Sequence, residues 1–466
     1  MKTYIFTALI LLLAILPGSA GGADYLRETN GYDLWCRYKI GAVAERLPHR
    51  ENRTQDKEQG GFVQLALLGS GRVYDDWSFL SEGRAFLSGS QLSSTFTDQD
   101  AGRVARTTDT SSYLQLRQFW VRYHGITDYP GEHLTLGLQR IRSASSLWWD
   151  SDLEAVVWRF SGTRLRFQAG IGERFDPYRT GSELNAVDKN KLRFFTESII
   201  DWKPYHEITF RGMYSRQNSH DKAGDVYSSA PEGINGEWLW YGLGLSSNWI
   251  KRRNHQSPFA YNLEWIGLTG QSDFTREDGT LLENHTISAW AVDAGVRYDF
   301  QTMPTSFGLS FTFGSGGFDN NVSNLFVQTG LQSNRNRYVG NGQYLYRFND
   351  ALRPDLTNLI QESLFFSHTF QDTFLLAGAL SGYQRDENRL PIYMNSEPLN
   401  MNRLSSDVGS GVDLSLRYDV QTTIFSVPLK FIRLRSSAFF PGGAFDDDAD
   451  DTVYRVVLEL VGGAIL

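Results

Sequence analysis

Val412-Asp413-Leu414-Ser415-Leu416-Arg417-Tyr418-Asp419-Val420 decides the fold. Successive side chains of a strand point to opposite faces, so Val412, Leu414, Leu416, Tyr418 and Val420 share one face. Asp413, Ser415, Arg417 and Asp419 occupy the other. A charged face is too costly for a sandwich core, but a water-filled lumen accepts it. Working outward, Trp290, Val292, Ala294, Val296 and Tyr298 alternate with Asp293, Gly295 and Arg297. Phe307, Leu309, Phe311 and Phe313 alternate with Gly308, Ser310 and Thr312, and Tyr454, Val456, Leu458 and Leu460 with Arg455, Val457 and Glu459. No propeller-length repeat accompanies the pattern. It predicts an all-β chain, a single large antiparallel transmembrane β-barrel in a bacterial outer membrane.

Composition agrees. Of 466 residues 41% are hydrophobic and 14% aromatic, with 44 Gly against 13 Pro, and mean hydropathy is −0.36. That is too polar for a helix bundle and too aromatic for disorder. A formal charge of −8 argues against nucleic acid, and one Cys excludes an intrachain disulfide framework. Charges interrupt every apolar stretch after Tyr4–Leu16, which falls short of the ~20 residues of a spanning helix. With Lys2 before it and Pro17 to Ala23 after it, it reads as a signal peptide over 1–23, cleaved after Ala20 or Ala23. Residues 24–466 remain as one barrel. Short turns such as 127–131 alternate with long polar loops, 91–112 and 217–237, which suits short periplasmic turns and longer outer loops.

Other signals are weaker. Trp148-Trp149, Trp238 with Trp240 and Tyr241, Phe365-Phe366 and Phe439-Phe440 are expected to form interfacial girdles. Gly314 to Gly317 lacks a following Lys-Ser/Thr and reads as a strand end. The acidic run Asp446 to Asp451 reads as a solvated loop, with weak divalent-cation binding as its sharper alternative. The eight His show no HExxH spacing, and no Ser sits in a G-x-S-x-G elbow. No metal, cofactor or catalytic residue is expected.

Arginine on the polar parity carries the informative chemistry. Arg433 and Arg435, between Ile432 and Leu434, point to one face about 7 Å apart. Arg297, Arg417, Arg211, Arg164 and Arg166 follow the same pattern. Each alone reads as a lumen residue paired with a carboxylate on a neighbouring strand. Together they suggest a basic passage through an acidic protein, and a cationic pore favours anions, carboxylates above all because of the planar Arg fork.

Leu116 to Tyr123, Gly125 to Leu134, Gly137-Leu138-Gln139-Arg140-Ile141-Arg142 and Trp148-Trp149-Asp150 resemble the alginate-export outer-membrane porin family. So do Arg174-Phe175 with Tyr178-Arg179-Thr180, Gln328 to Arg335, and Ile432 to Arg435 with Pro441-Gly442. The resemblance implies a monomeric eighteen-stranded barrel conducting anionic polysaccharide outward, among outer-membrane lipid and lipopolysaccharide and with periplasmic secretion proteins as partners. It places a basic constriction on Lys39, Arg117, Arg140, Arg335, Arg433 and Arg435, with Asp150 as an acidic member. Leu67 and Tyr344 stand where the family has pore arginines, and Gly181 where it has a second acid. The chain ends Gly462-Gly463-Ala464-Ile465-Leu466 without the usual terminal aromatic. Arg140 shares the face of Leu134, Leu136 and Leu138, so it must lie beyond the lipid band or after a bulge.

The expectation is therefore a passive anion-selective channel exporting an acidic, uronate-rich exopolysaccharide. The alternative is a porin for uptake of small anionic solutes or oligouronates, and a barrel-borne hydrolase or lyase is a third reading. The resemblance also implies a pore covered by an outer loop, here 91–112, and a periplasmic loop. The connection between Tyr418 and Lys430 is too short to serve as the second, since a chain spans at most about 3.5 Å per residue.

Overall fold

A computed structural model describes residues 32–48, 57–89, 112–184, 186–218, 234–247, 249, 257–275, 281–319, 321–335, 337–394, 397–401, 404–424, 427–446 and 451–465. The signal-peptide region 1–23, nearly all of the loop 91–112, most of 217–237 and the centre of the acidic run lie outside these residues.

Eighteen long antiparallel strands form one closed barrel. Tyr32–Arg46 pairs with Lys57–Tyr74 on one side and with Val453–Ile465 on the other, in register from Trp35↔Ile465 to Arg46↔Tyr454. Among the described residues no sheet edge is left to meet lipid with unpaired backbone groups.

The alternation seen in the sequence sets the faces. Val412, Leu414, Tyr418, Trp290, Val296, Leu309 and Leu458 are exposed on the outside, while Asp413, Ser415, Asp293, Arg297, Thr312, Arg455 and Glu459 are buried inside. Such a continuous apolar exterior is stable only against hydrocarbon.

The two ends differ. At one end strands are joined by the short connections 75–76, 124–131, 162–164, 204–205, 300–304, 371–373 and 425–426, and the Trp35↔Ile465 closure lies there too. The other end carries 174–190, 315–358 and 385–406. Short turns mark the periplasmic side of outer-membrane barrels. An aromatic belt lies at this short-turn end: Trp77 meets Tyr123 at 4.8 Å, Tyr129 meets Phe160 at 4.9 Å and Phe259 meets Tyr298 at 5.0 Å between ring centroids. Amphipathic rings suit that depth.

The girdle expected at the tryptophan pairs is corrected. Trp148, Trp149, Trp238 and Trp240 are fully buried, as are Phe365 and Phe439; only Tyr241 and Phe440 are exposed. The cause is residues 315–358, which follow the strand end at Gly314 as expected and then fold into the lumen. Trp240 Nε1 donates to the Val327 carbonyl at 2.8 Å, and the Asp150 amide to the Leu331 carbonyl at 2.7 Å. Arg347 reaches Asp293 at 2.6 Å, and the Asp350 amide donates to Asp413 at 2.9 Å. The inner loop is thus clamped to several parts of the wall, and its apolar residues Phe326, Val327 and Leu331 form one core with the tryptophans.

Candidate functional site

The inner loop fills one part of the lumen and leaves a cavity of about 710 Å³ beside the barrel closure. Lys39, Arg117, Arg140, Asp150, Arg335, Arg433 and Arg435 all line it. Different elements deliver them: Lys39 comes from Tyr32–Arg46, Arg433 and Arg435 from Val427–Pro441, and Arg335 from the inner loop.

Arg117 is aimed by a bulge. Glu82 faces Gln118 and Gly83 faces Leu116 across the ladder, so Arg117 is the extra residue of its strand. A bulge bends the strand and re-aims a side chain. Arg117 then pairs with Asp152 at 3.2 Å, a residue that reading the sequence missed.

Arg140 reaches the cavity because the wall changes partners. Ser112–Tyr123 pairs with Glu132–Arg142 only from Phe119↔Leu138 to Tyr123↔Leu134. Above that point the outer connection completes the wall: Gln115 bridges to Arg179, the Leu116 amide donates to the Tyr178 carbonyl, and the Thr180 amide to the Leu114 carbonyl. Arg140 therefore lies past the stretch that pairs with Ser112–Tyr123, after Gly137 with its φ of 123°, while still laddered to Asp152 on its other side. It donates from Nε to Asp150 at 2.8 Å. Asp150 also accepts from Ser333 at 2.7 Å and lies 3.8 Å from Arg142.

Of the polar-parity arginines, Arg433, Arg435, Arg417, Arg211, Arg297 and Arg166 have carboxylate company, as expected for any one of them, whereas Arg164 lies just before the strand Leu165–Glu173 and not on it. Arg433 donates to Glu459 at 2.6 Å, Lys39 lies 3.3 Å from the same carboxylate, and Arg417 is 2.7 Å from Asp419. Arg435 reaches Asp350 of the inner loop at 2.5 Å. Burial alone would raise the Asp350 carboxyl, but Arg435, Arg353 and Arg455 hold it well below the usual carboxylate range. Arg211 lies between Glu197 and Glu264, and Arg297 binds Asp299, away from the cavity lining.

The balance decides the field. Among the described residues the cavity is lined by eleven cationic side chains (Arg37, Lys39, Arg84, Arg117, Arg140, Arg142, Arg335, Arg417, Lys430, Arg433 and Arg435) against five carboxylates (Glu82, Asp150, Asp350, Asp413 and Glu459). Six cations are in excess inside a chain whose formal charge is −8. Asp350 and Arg84 carried no family signal, although Arg84 sits on inward parity with Glu82 and Phe86. Leu67 is corrected as a pore position: it faces outward, whereas its neighbour Ala66 lines the cavity. Tyr344 does line the cavity, and Gly181 lies in the outer connection after Arg179. The Tyr418–Lys430 connection is a tight hairpin, with Ile424 opposite Val427. Among the described residues no group of His, Cys, Asp or Glu could hold a metal ion.

A family model described as alginate export matches residues 28–459. The alginate production protein AlgE of Pseudomonas aeruginosa is 28% identical over 410 residues, covering 83% of both chains. The protein of that name from Azotobacter vinelandii is 31% identical over 376 residues, covering 75% of both. Among solved structures, OccAB2 of Acinetobacter baumannii matches with a TM-score of 0.59 at 10% identity, over 95% of this chain and 100% of that one. A BenF-like porin from Pseudomonas fluorescens Pf-5 matches with a TM-score of 0.56 at 10% identity, also over 95% and 100%. These structural likenesses concern the barrel fold.

Proposed function

Because the chain belongs to the alginate-export family and is a bacterial outer-membrane barrel, we propose that it is a passive, anion-selective channel. It conducts an acidic, uronate-rich polysaccharide such as alginate outward, without covalent change to the polymer. The observation that carries this reading is the excess of six cations lining the cavity. A closed ladder needs no second chain to form a pore, so one chain is the working unit.

Lys39, Arg117, Arg140, Arg335, Arg433 and Arg435 lower the energy of a carboxylate in the cavity, and Asp150 limits how firmly it is held. Conduction requires binding favourable enough for entry and weak enough for exit. The carboxylates on Arg140, Arg433 and Arg435 serve that second need: a passing uronate competes with a resident carboxylate and exchanges rather than sticks. Arg presents a planar fork to either partner. Charges on the outer surface are screened over about 8 Å at physiological salt.

The test is planar-bilayer recording. A salt gradient should give a reversal potential of anionic sign, and an oligouronate should produce transient current blocks. A cation-selective channel, or one that polyuronate never blocks, would overturn the reading. Brief blocks by small organic acids with none by oligouronates would favour the uptake porin instead.

A further inference from the structure

Lys430 stands apart from every other cation of the cavity. Among the described residues it has no hydrogen bond, ion pair or ring contact, while the other lining cations have partners. It is half-buried and lines the cavity. The charged group that bears on it is a second cation, Arg37, which lines the same cavity and is held by Glu82 at 3.0 Å.

Its orientation is set by a bulge. Leu429 faces Gly462 and Phe431 faces Val461 across the ladder, so Lys430 is the extra residue of a bulge. On its other side the ladder passes from Asp419↔Phe431 to Thr422↔Leu429, again skipping Lys430. Regular alternation from Arg433 and Arg435 would send residue 430 outward to lipid, where a lysine is costly. The bulge gives up ladder pairing and turns the ammonium into the lumen. Arg117 is delivered by the same device, so both bulged cations open onto one cavity. Lys430 is three residues from Arg433, about 10 Å along the strand, on the side of the Ile424↔Val427 pairing and the chain closure. It therefore stands at the short-turn mouth, ahead of the constriction for a polymer arriving from the periplasm.

We propose that Lys430, with Arg37 beside it, is an entry subsite that captures a carboxylate of the incoming polyuronate before it reaches Arg433 and Arg435. The proposal rests on the reading of the cavity as a polyuronate path. A flexible ammonium without a resident carboxylate suits first capture: it holds anions as a point charge without demanding one orientation. Arg433, already bound to Glu459, must exchange partners and suits the later step. Each sugar of a uronate chain carries a carboxylate, so a chain held at Lys430 presents its next charges to Arg433 at high effective concentration.

The test uses single oriented channels of the full chain in bilayers at low salt, with an oligomannuronate of defined length added to one side or the other. Lys430→Gln should lower the rate of block events from the short-turn side about tenfold, the worth of one charged hydrogen bond. Events from the opposite side should keep their rate, the reversal potential should keep its anionic sign, and Lys430→Arg should restore capture. Equal losses from both sides would reduce Lys430 to a part of the general field and overturn the subsite, as would an unchanged rate or failure of Lys430→Arg to restore it. A wild-type channel without anion preference or block would overturn the underlying reading as well, so the two failures are told apart by which channel shows them.

Discussion

On one side of the lumen Trp148, Trp149, Trp238 and Trp240 close against Phe326, Val327 and Leu331; on the other, Arg417, Lys430 and Arg433 face open cavity. Trp238, Trp240, Arg417 and Arg433 sit on strands of one barrel, where inward parity was set to leave lipid, while Trp148 and Trp149 come from the connection that precedes Asp150–Ser161. What the inward side chains meet is decided by residues 315–358. Where this loop packs apolar atoms on tryptophans, burial is self-sufficient, since each indole brings a large area out of water. Where it offers Asp350 and Arg335, charges need partners and water, and the space stays open. On the proposed reading the dry region narrows the pore and the wet region selects what passes.

The largest expected effect comes from breaking the dry side. Trp149→Ala removes a fully buried indole, at a cost of about 3–5 kcal/mol, and opens a passage through the sealed part. Denaturant midpoints should fall and single-channel conductance should rise. Conductance equal to wild type would mean that the tryptophans do not narrow the pore.

Next in size is reversal of the wet side. Replacing both Arg433 and Arg435 with Glu sets new carboxylates beside Glu459 and Asp350, and removes the cations from the cavity's core. The reversal potential should weaken sharply or change sign, and an unaltered potential would place both residues outside the conduction path.

A subtler difference lies within the wet region. Asp150→Ala and Asp152→Ala each release a cation, Arg140 and Arg117 respectively, and should lengthen oligouronate blocks about tenfold or more, the factor that corresponds to about 1.5–3 kcal/mol for a charged hydrogen bond. Arg117→Ala should shorten them. Wild-type dwell times in all three variants would remove this division of labour.

The smallest effect is that of pH on the inner loop. The Asp350 carboxyl lies below its ordinary range in the folded chain, so it binds a proton less readily there than when unfolded. Its contribution is fully present above the unfolded value of about 3.9 and is lost only as pH falls below that value through the folded one. Selectivity and unfolding midpoint should therefore show no Asp350-dependent step between pH 7 and pH 5. A step there that disappears in Asp350→Asn would show that the loop's anchor is weaker than its arginine contacts imply.

How far the site was legible depended on alternation holding. Arg433 and Arg435 sit on unbroken parity and were readable as lumen residues, and the close pairing of Ile424 with Val427 followed from chain length. Arg117 and Arg140 were placed by family resemblance and not by periodicity, because a bulge and a change of strand partner shift their faces. The same blindness hid Lys430. Leu67 faces outward while Ala66 lines the cavity, because in a strand one position is the difference between lipid and lumen.

By itself the sequence determined what local periodicity can express: strands, their two faces, a closed membrane barrel, and a basic interior within an acidic chain. These follow from one rule, that alternate side chains must satisfy hydrocarbon and water in turn. Tertiary structure alone decided which inward residues became a dry core and which a cavity, which carboxylate each arginine holds, and where bulges turn a cation inward. Such pairings join residues distant in the chain, as Arg435 with Asp350 and Trp240 with Val327. No local pattern records them, because their energies exist only once the barrel has closed around its inner loop.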